Sequence, residues 1–291
     1  MCVGNQRSAK CTLRVPIDTV PAIQPALLRQ QAALLVEHFS DPPAYIRSLH
    51  YLLDFYADRA RRPGQSGMPA PITSAYKVRP PVLRMILQEL TPPAIEEPET
   101  GLRLCDALWA EPNLEFRLLA AMLLGQIPPS PPERIIARLK TWLVPDLEFY
   151  LIEALMNHAL GRLRQEHPLS MIRLIQDWLE SSQPLFQQLG LRALLPLVEN
   201  PQFENLPVFF RLVQPLACNV PPGLGPDLLD VLAALAHRSP NETAYFLRQT
   251  LSYPEAADIA WLVRQLLNEF PPEQQEMLHN VVKEAEPRRA R

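Results

Sequence analysis

The histidines and cysteines of this 291-residue chain, the side chains that most often bind metals or act as nucleophiles, form no recognisable motif. The four cysteines stand far apart, so the sequence predicts neither a zinc site nor disulfides. His158 and His167 are nine residues apart, too far for one helix face to hold a metal simply. A glycine-rich phosphate loop, a nucleophile elbow and an HExxH motif are also missing from the sequence. We therefore expect no metal and no cofactor.

Two stretches have a more distinctive composition. The first, residues 76–84, reads Tyr-Lys-Val-Arg-Pro-Pro-Val-Leu-Arg. The second, residues 107–121, contains Leu108-Trp109 and then Glu115 and Arg117 among alanines and leucines. A structural interpretation is open for both, because an aromatic side chain at helical spacing is usually part of the core. In that interpretation Trp109 closes a helix and Arg117 hydrogen-bonds near a helix end.

Together the two stretches resemble the DNA alkylation repair family, the HEAT-like DNA glycosylases of the AlkD type. That family reads roughly Tyr-Gly-Val-x-x-Pro-x-Leu-Arg, then a helix, then Leu-Trp-x-x-x-x-x-Glu-x-Arg/Gln. Lys77 stands here where the family has glycine. The resemblance runs with changing strength from about residue 44 to about residue 270, as in a divergent member. It implies a scaffold of stacked helix pairs and double-stranded DNA as the partner.

The resemblance also implies a site. In the family, an aromatic and an acidic residue four apart on one helix approach the damaged nucleotide. Continuing the match backwards from His167-Pro168 without gaps puts the aromatic at Phe149 and the acid at Glu153, where the family has Trp and Asp. Residues i and i+4 share a helix face, and a carboxylate there can stabilise an oxocarbenium-like transition state. The implied reaction is metal-independent hydrolysis of the N-glycosidic bond of N3- or N7-alkylated purines.

The predicted DNA contacts depart from the family. In the family, an arginine and a tryptophan on following helices hold the DNA backbone. The arginine falls on Gln188, which can hydrogen-bond a phosphate but carries no charge, and the tryptophan falls near Asp230, which repels phosphate. Arg162 and Arg164 follow Glu153 on its own predicted helix and are the best phosphate candidates. The predicted DNA-binding residues are Gln188, Arg162, Arg164, Lys77 and Arg79. Further basic residues on the predicted inner rows are Arg134, Arg138, Lys140, Arg173, Arg192 and Arg211.

Helices must position these residues. Apolar residues recur at i, i+3, i+4 and i+7 in most windows, and 33 prolines recur as punctuation between the periodic segments. Proline suits the first turn of a helix and breaks its interior. The pattern predicts about fourteen helices, at roughly 23–39, 43–60, 80–90, 99–110, 113–126, 132–143, 147–166, 168–181, 184–198, 204–216, 225–238, 241–251, 255–269 and 272–285.

Short connections between these helices predict antiparallel neighbours. Fourteen helices are too many for one bundle core, so the fold class predicted is all-α, a HEAT-like α-solenoid of antiparallel helix pairs. The predicted solenoid spans residues 21–286, with a loop at 61–79 that is rich in Pro, Gly and Ser. Residues 1–20 lack a helical pattern and are predicted to be an irregular segment.

Charge and hydropathy leave two function classes open. No apolar run is long enough to cross a membrane, and the N-terminus has no secretory h-region, so we expect a cytoplasmic protein and a monomer. The net charge of −3 divides into +5 over residues 1–79 and −8 over the rest. The first class is a DNA-binding glycosylase. The second, favoured by Gln188, Asp230 and the acidic balance, is a non-catalytic helical scaffold that binds a protein or nucleic acid.

Overall fold

The fold is all-helical. The computed structural model describes residues 24–57, 74–253 and 259–289, with side chains up to residue 283, so the predicted segment 1–20 and most of the predicted loop 61–79 lie outside it. Within these ranges the chain forms fifteen α-helical segments and no β-strand. The helices are α1 Pro25–Val36, α2 Pro42–Phe55, α3 Pro80–Glu96, α4 Pro98–Ala110, α5 Leu114–Leu124, α6 Glu133–Trp142, α7 Phe149–Ala154, α8 Gly161–Glu166, α9 Pro168–Leu179, α10 Pro184–Val198, α11 Leu206–Cys218, α12 Gly225–Arg238, α13 Pro240–Leu251, α14 Ile259–Leu266 and α15 Pro272–Arg289.

Proline marks most of the helix starts, as the sequence predicts. The ring fixes φ near the helical value, and the missing N–H would have no partner in the first turn. At the start of α2, Asp41 adds a side-chain cap that accepts a 3.2 Å hydrogen bond from the backbone N–H of Ala44. Proline lies at the first or second position of α1, α2, α3, α4, α9, α10, α11, α12 and α13.

Three helices differ from the prediction by more than a few residues. The helix predicted at 43–60 ends at Phe55. The helix predicted at 80–90 continues through Pro92 and Pro93 to Glu96, and the fully buried Ala94 packs its extra turn into the core. The helix predicted at 147–166 is interrupted by a π-helical turn, Leu155–Ala159, between α7 and α8. A Cβ at Gly125 would overlap the carbonyl oxygen of His158 in this turn and lie 2.8 Å from its carbonyl carbon. Glycine at position 125 therefore allows the wide turn to approach the chain that follows α5.

The described residues divide into two compact units, and the division falls within α5, at Ala120/Ala121. In the first unit, α1 packs against α2 and α3, and α4 packs against α2 and α3. In the second unit, α10 packs against α9 and α12, α12 against α14, α11 against α13, and α13 against α15. Ten helices, α1–α4 and α10–α15, thus contact both a sequence neighbour and a helix two positions away in the order of elements.

This pattern arranges the second unit in two rows of helices, which we call the site row and the outer row. The site row contains α7, α10, α12 and α14; α7 joins it through an ion pair between Glu153 and Arg192 of α10. The outer row contains α11, α13 and α15; a separate ion pair between Lys140 and Asp177 joins α6 to α9. Fully buried side chains such as Leu155, Leu194 and Leu232 fill the core of this unit.

Candidate functional site

Phe149 and Glu153 lie one helical turn apart on α7, at its first and fifth positions. Phe149 is 52% exposed, which is unusual for an aromatic residue and leaves its ring available to a ligand. Glu153 is partly exposed, and its Oε2 accepts a 3.3 Å hydrogen bond from the Asn157 amide. The exposed aromatic ring and carboxylate thus occur on the same short helix.

Four polar side chains form a hydrogen-bonded line across the site row. Arg192 Nη1 donates to Glu153 Oε1 at 3.2 Å, and Arg192 Nε donates to Asp227 Oδ1 at 2.9 Å. The other oxygen of Asp227 accepts a 2.8 Å hydrogen bond from the Gln188 amide. The line therefore connects α7, α10 and α12, and it contains two carboxylates and one guanidinium. Its formal charge of −1 suits a cationic ligand better than a phosphate.

Two of these contacts have the same spacing in the sequence. Glu153 and Arg192 are 39 residues apart, and so are Gln188 and Asp227. Between the partners lie α8 and α9 in the first case and α11 alone in the second, so the fold brings residues of non-consecutive helices side by side. Arg192 was one of several basic residues on the predicted inner rows, while Asp227 was not predicted. The only sequence signal for Asp227 is this spacing of about one repeat, which is shared by many residues.

Arg162 and Arg164 lie outside the hydrogen-bonded line. Arg162 forms an ion pair with Glu166, and its Nη1 donates a 2.6 Å hydrogen bond to the carbonyl oxygen of Gln126. It therefore ties α8 to the chain just beyond α5. Arg164 is half-buried, its Nε has no partner among the described residues, and burial lowers the pKa of its guanidinium.

Lys77 and Arg79 lie in the first unit, and both are exposed. Arg79 precedes the first residue of α3. Lys77 has φ +59°, in the left-handed region that favours glycine, and it occupies the position where the resembling family has glycine. The left-handed backbone at position 77 thus suits the glycine of the family, and the lysine adopts it at a steric cost.

Glu115 connects the two stretches that the sequence singled out. This residue is buried, and its carboxylate accepts hydrogen bonds from the backbone N–H groups of Tyr76 at 3.1 Å and Lys77 at 2.6 Å. The Tyr76 hydroxyl lies 2.6 Å from Nδ1 of His50 on α2. Burial and the nearby Asp54, Glu115 and Glu111 carboxylates raise the pKa of Tyr76. The segment 74–79 is therefore held against α2 and α5 by buried polar contacts.

Arg117 completes this arrangement. Its Nε donates to the carbonyl oxygens of Trp109 at 3.2 Å and Glu111 at 3.0 Å, and its guanidinium lies 5.8 Å from the centre of the Trp109 ring. The expected hydrogen bond from Arg117 to a helix end is confirmed, because Trp109 and Glu111 are at the C-terminus of α4. Carbonyl groups there lack intrahelical donors, and a cation near them is favourable.

The described ranges offer neither a metal-binding cluster nor a membrane-spanning helix. No three His, Cys, Asp or Glu side chains there come together in a way that could hold a metal ion. No helix in the same ranges has the length and apolar character needed to cross a membrane.

Comparison with known proteins identifies the family. The family model described as "DNA alkylation repair enzyme" matches residues 59–217, which is more than half of the 291 residues. The matched range contains both distinctive stretches and Phe149, Glu153, Gln188 and Arg192, whereas Asp227 lies beyond it. No curated protein and no solved structure matches the chain. The family model thus covers more than half of the chain, including the buried Glu115 and the helices α7 and α10 that carry most of the line. The chain therefore belongs to the DNA alkylation repair enzyme family.

Proposed function

We propose that this protein binds double-stranded DNA and hydrolyses the N-glycosidic bond of N3- or N7-alkylated purines. The observation that carries this proposal is the pair formed by Phe149 and Glu153, an exposed ring and a partly exposed carboxylate on the same helix. The family membership supports a role in alkylation repair, and the pair supplies the chemical groups for this reaction.

The chemistry needs little beyond a fixed negative charge. An N3- or N7-alkylated purine is cationic and leaves with the electron pair of its bond to C1′ of the sugar. The sugar then develops positive charge, water adds to C1′, and the water proton is released to solvent. The Glu153 carboxylate stabilises the developing charge, and the Phe149 ring contacts the sugar or the cationic base. The formal charge of −1 on the hydrogen-bonded line acts in the same direction.

We further propose that the helix pairs within each unit stack as HEAT-like repeats of an α-solenoid. The contacts of α1–α4 and α10–α15 with the helix two positions away, and the spacing of 39 residues between bonded partners, support this arrangement. The DNA contacts we propose are Gln188, Arg162, Arg164, Lys77 and Arg79. We expect the protein to act as a monomer in the cytoplasm, which size-exclusion chromatography with light scattering and fractionation of cells would test.

A non-catalytic scaffold is the second candidate, and one observation favours it. The Glu153 carboxylate is neutralised by Arg192, and Gln188, which carries no charge, is bound to Asp227. Polar groups that satisfy one another's hydrogen bonds in this way can have the purely structural role of joining neighbouring helices. In that case the protein would bind a protein or nucleic-acid partner without excising a base.

The deciding experiment is release of free base from a duplex with a single N7-methylguanine, under single-turnover conditions. We expect release by the wild-type protein and a rate about 10²-fold lower for Glu153→Gln, the usual effect of losing one electrostatic stabiliser. Glu180→Gln, an exposed carboxylate just after α9 and outside the hydrogen-bonded line, is the matched control and should keep the full rate. If the wild-type protein releases no base, the glycosylase function is ruled out and the scaffold function remains. Equal rates for Glu153→Gln and wild type would show that Glu153 is not the stabilising group.

A further inference from the structure

Arg192 holds two carboxylates that differ in their surroundings. Its Nε donates to Asp227 at 2.9 Å, and the Asp227 side chain is only 14% exposed. Its Nη1 donates to Glu153 at 3.2 Å, where the side chains are 40% and 37% exposed. An exposed ion pair contributes little to stability because water screens it and two flexible side chains must be ordered. The bond to Glu153 is therefore the weaker of the two.

Asp227 is held independently of Arg192. Its second oxygen accepts the 2.8 Å hydrogen bond from Gln188, one turn earlier on α10. Two side chains of α10 thus fix the carboxylate of α12, and this carboxylate fixes the Nε side of the guanidinium. Nη1 contacts Glu153, the more exposed of the two carboxylates. A planar guanidinium held on one side keeps its other side oriented for a second anion.

We propose that Arg192 exchanges Glu153 for a phosphate of the DNA backbone, so that DNA binding itself uncovers the Glu153 carboxylate. The proposal rests on the function proposed above. Asp227 and Gln188 act as positioning residues that keep the guanidinium in place during the exchange. Arg192 stays protonated throughout, and no covalent bond changes. Without DNA the carboxylate is neutralised, and with DNA it faces the sugar while its amide partner Asn157 remains in place.

This exchange reconciles two features of the site that conflict otherwise. A carboxylate that must stabilise a cation should not remain paired with an arginine, and a site that must accept DNA needs a cation near the backbone. Gln188 supplies no charge for this purpose, whereas Arg192 lies one turn further on the same face of α10. A single guanidinium that changes partner meets both needs.

The test is a double-mutant cycle on DNA affinity, measured by fluorescence anisotropy with an unmodified labelled duplex over a series of salt concentrations. The proteins are wild type, Arg192→Ala, Glu153→Gln and the double variant, with circular dichroism to verify folding. The control is Arg173→Ala, an exposed arginine on α9 that takes no part in the hydrogen-bonded line. Arg192→Ala should bind more weakly and lower the slope of log K against log salt by about 0.9, the value for one phosphate contact.

Glu153→Gln frees Arg192 before DNA arrives, so it should tighten binding about two- to fivefold without changing the salt slope. In the Arg192→Ala background the same change should tighten binding less, because only the repulsion between Glu153 and DNA is removed. An equal or larger gain in that background, or an unchanged slope for Arg192→Ala, would overturn the exchange. Arg173→Ala should leave the slope at the wild-type value, and an equal fall would show that the effect is not specific to Arg192.

The outcomes separate this inference from the proposed reaction. If the cycle behaves as expected and wild-type protein releases no methylated base, the glycosylase proposal fails and the exchange stands. If base release occurs and Arg192→Ala keeps the wild-type slope, the exchange fails and the reaction stands. Absence of DNA binding at low salt overturns both.

Discussion

The backbone N–H of Lys77 donates a 2.6 Å hydrogen bond to the buried carboxylate of Glu115. Lys77 adopts φ +59°, so this bond stabilises a conformation that a lysine rarely adopts. The adjacent N–H of Tyr76 reaches the same carboxylate at 3.1 Å. Two successive N–H groups can point at one carboxylate only if the backbone turns sharply between them, which explains why the family pattern has glycine at this position.

Lys77→Gly should therefore stabilise the protein. Relief of the left-handed strain outweighs the extra backbone entropy of glycine in the unfolded chain, and we expect a net gain of about 1 kcal/mol in the free energy of unfolding by urea. Ala75→Gly is the control, because Ala75 lies in the same segment without a positive φ and should lose about 0.5–1 kcal/mol. A loss of stability for Lys77→Gly would contradict the strain at this residue. If Lys77 contacts DNA, the same variant should bind DNA more weakly.

Two glycines in the second unit should respond oppositely to alanine. Gly125→Ala places a Cβ against the backbone of His158, which cannot move without shifting the π-helical turn between α7 and α8, and should cost about 3 kcal/mol. Gly161→Ala, at the start of α8, meets no atom within 4 Å and should gain about 0.5–1 kcal/mol. Thermal unfolding of both variants measures the contrast. Similar melting temperatures for the two would show that the close approach at Gly125 is not required.

Tyr45 should make stability depend on alkaline pH. Its side chain is fully buried on α2, its hydroxyl has no partner among the described residues, and burial raises the pKa of the phenol. Because the folded pKa lies above the unfolded value near 10, this contribution is complete below pH ~10 and is lost as the pH rises above it.

Tyr45→Phe should remove that loss. We also expect a gain of up to about 1 kcal/mol at pH 7, because a buried hydroxyl without a partner is removed. Urea unfolding at pH 7 and at pH 11 should show a difference between variant and wild type that grows with pH. The control is Tyr51→Phe, since Tyr51 is 81% exposed on the same helix and should change little at either pH. A difference that does not grow with pH would contradict the burial of an ionisable phenol at position 45.

The helices were largely predictable because their starts are encoded locally. Proline at the first turn and the 3.6-residue apolar period place α9, α10 and α12 within a few residues of their observed bounds. The extra turn of α3 was not predictable in this way, because the buried Ala94 holds it through tertiary packing. The π-helical turn depends on Gly125, which is some thirty residues away in the sequence, and no local pattern reports it.

The candidate site was predictable only where the resemblance reached it. Phe149 and Glu153 come from the match to the family pattern, and the structure places both on one exposed face of α7. The contacts of Glu153 with Arg192 and of Gln188 with Asp227 join residues 39 positions apart, and the sequence contains many pairs with that separation. Their charges could be read from the sequence, but their pairing depends on how successive helix pairs pack.

Gln188→Arg should tighten DNA binding. The new guanidinium lies beside Asp227, which already orients Arg192, so a second cation can face the same stretch of DNA backbone. One added phosphate contact should increase the salt slope by about 0.9. Gln187→Arg is the matched control: it adds the same charge at the neighbouring position of α10, where the native amide donates to the carbonyl of Ser181, and should change the slope less. Equal effects of the two substitutions would mean that added charge acts at long range and that position 188 does not face a phosphate. If Gln188→Arg gains affinity in a protein that releases no methylated base, the chain is a DNA-binding scaffold of the repair family without its chemistry.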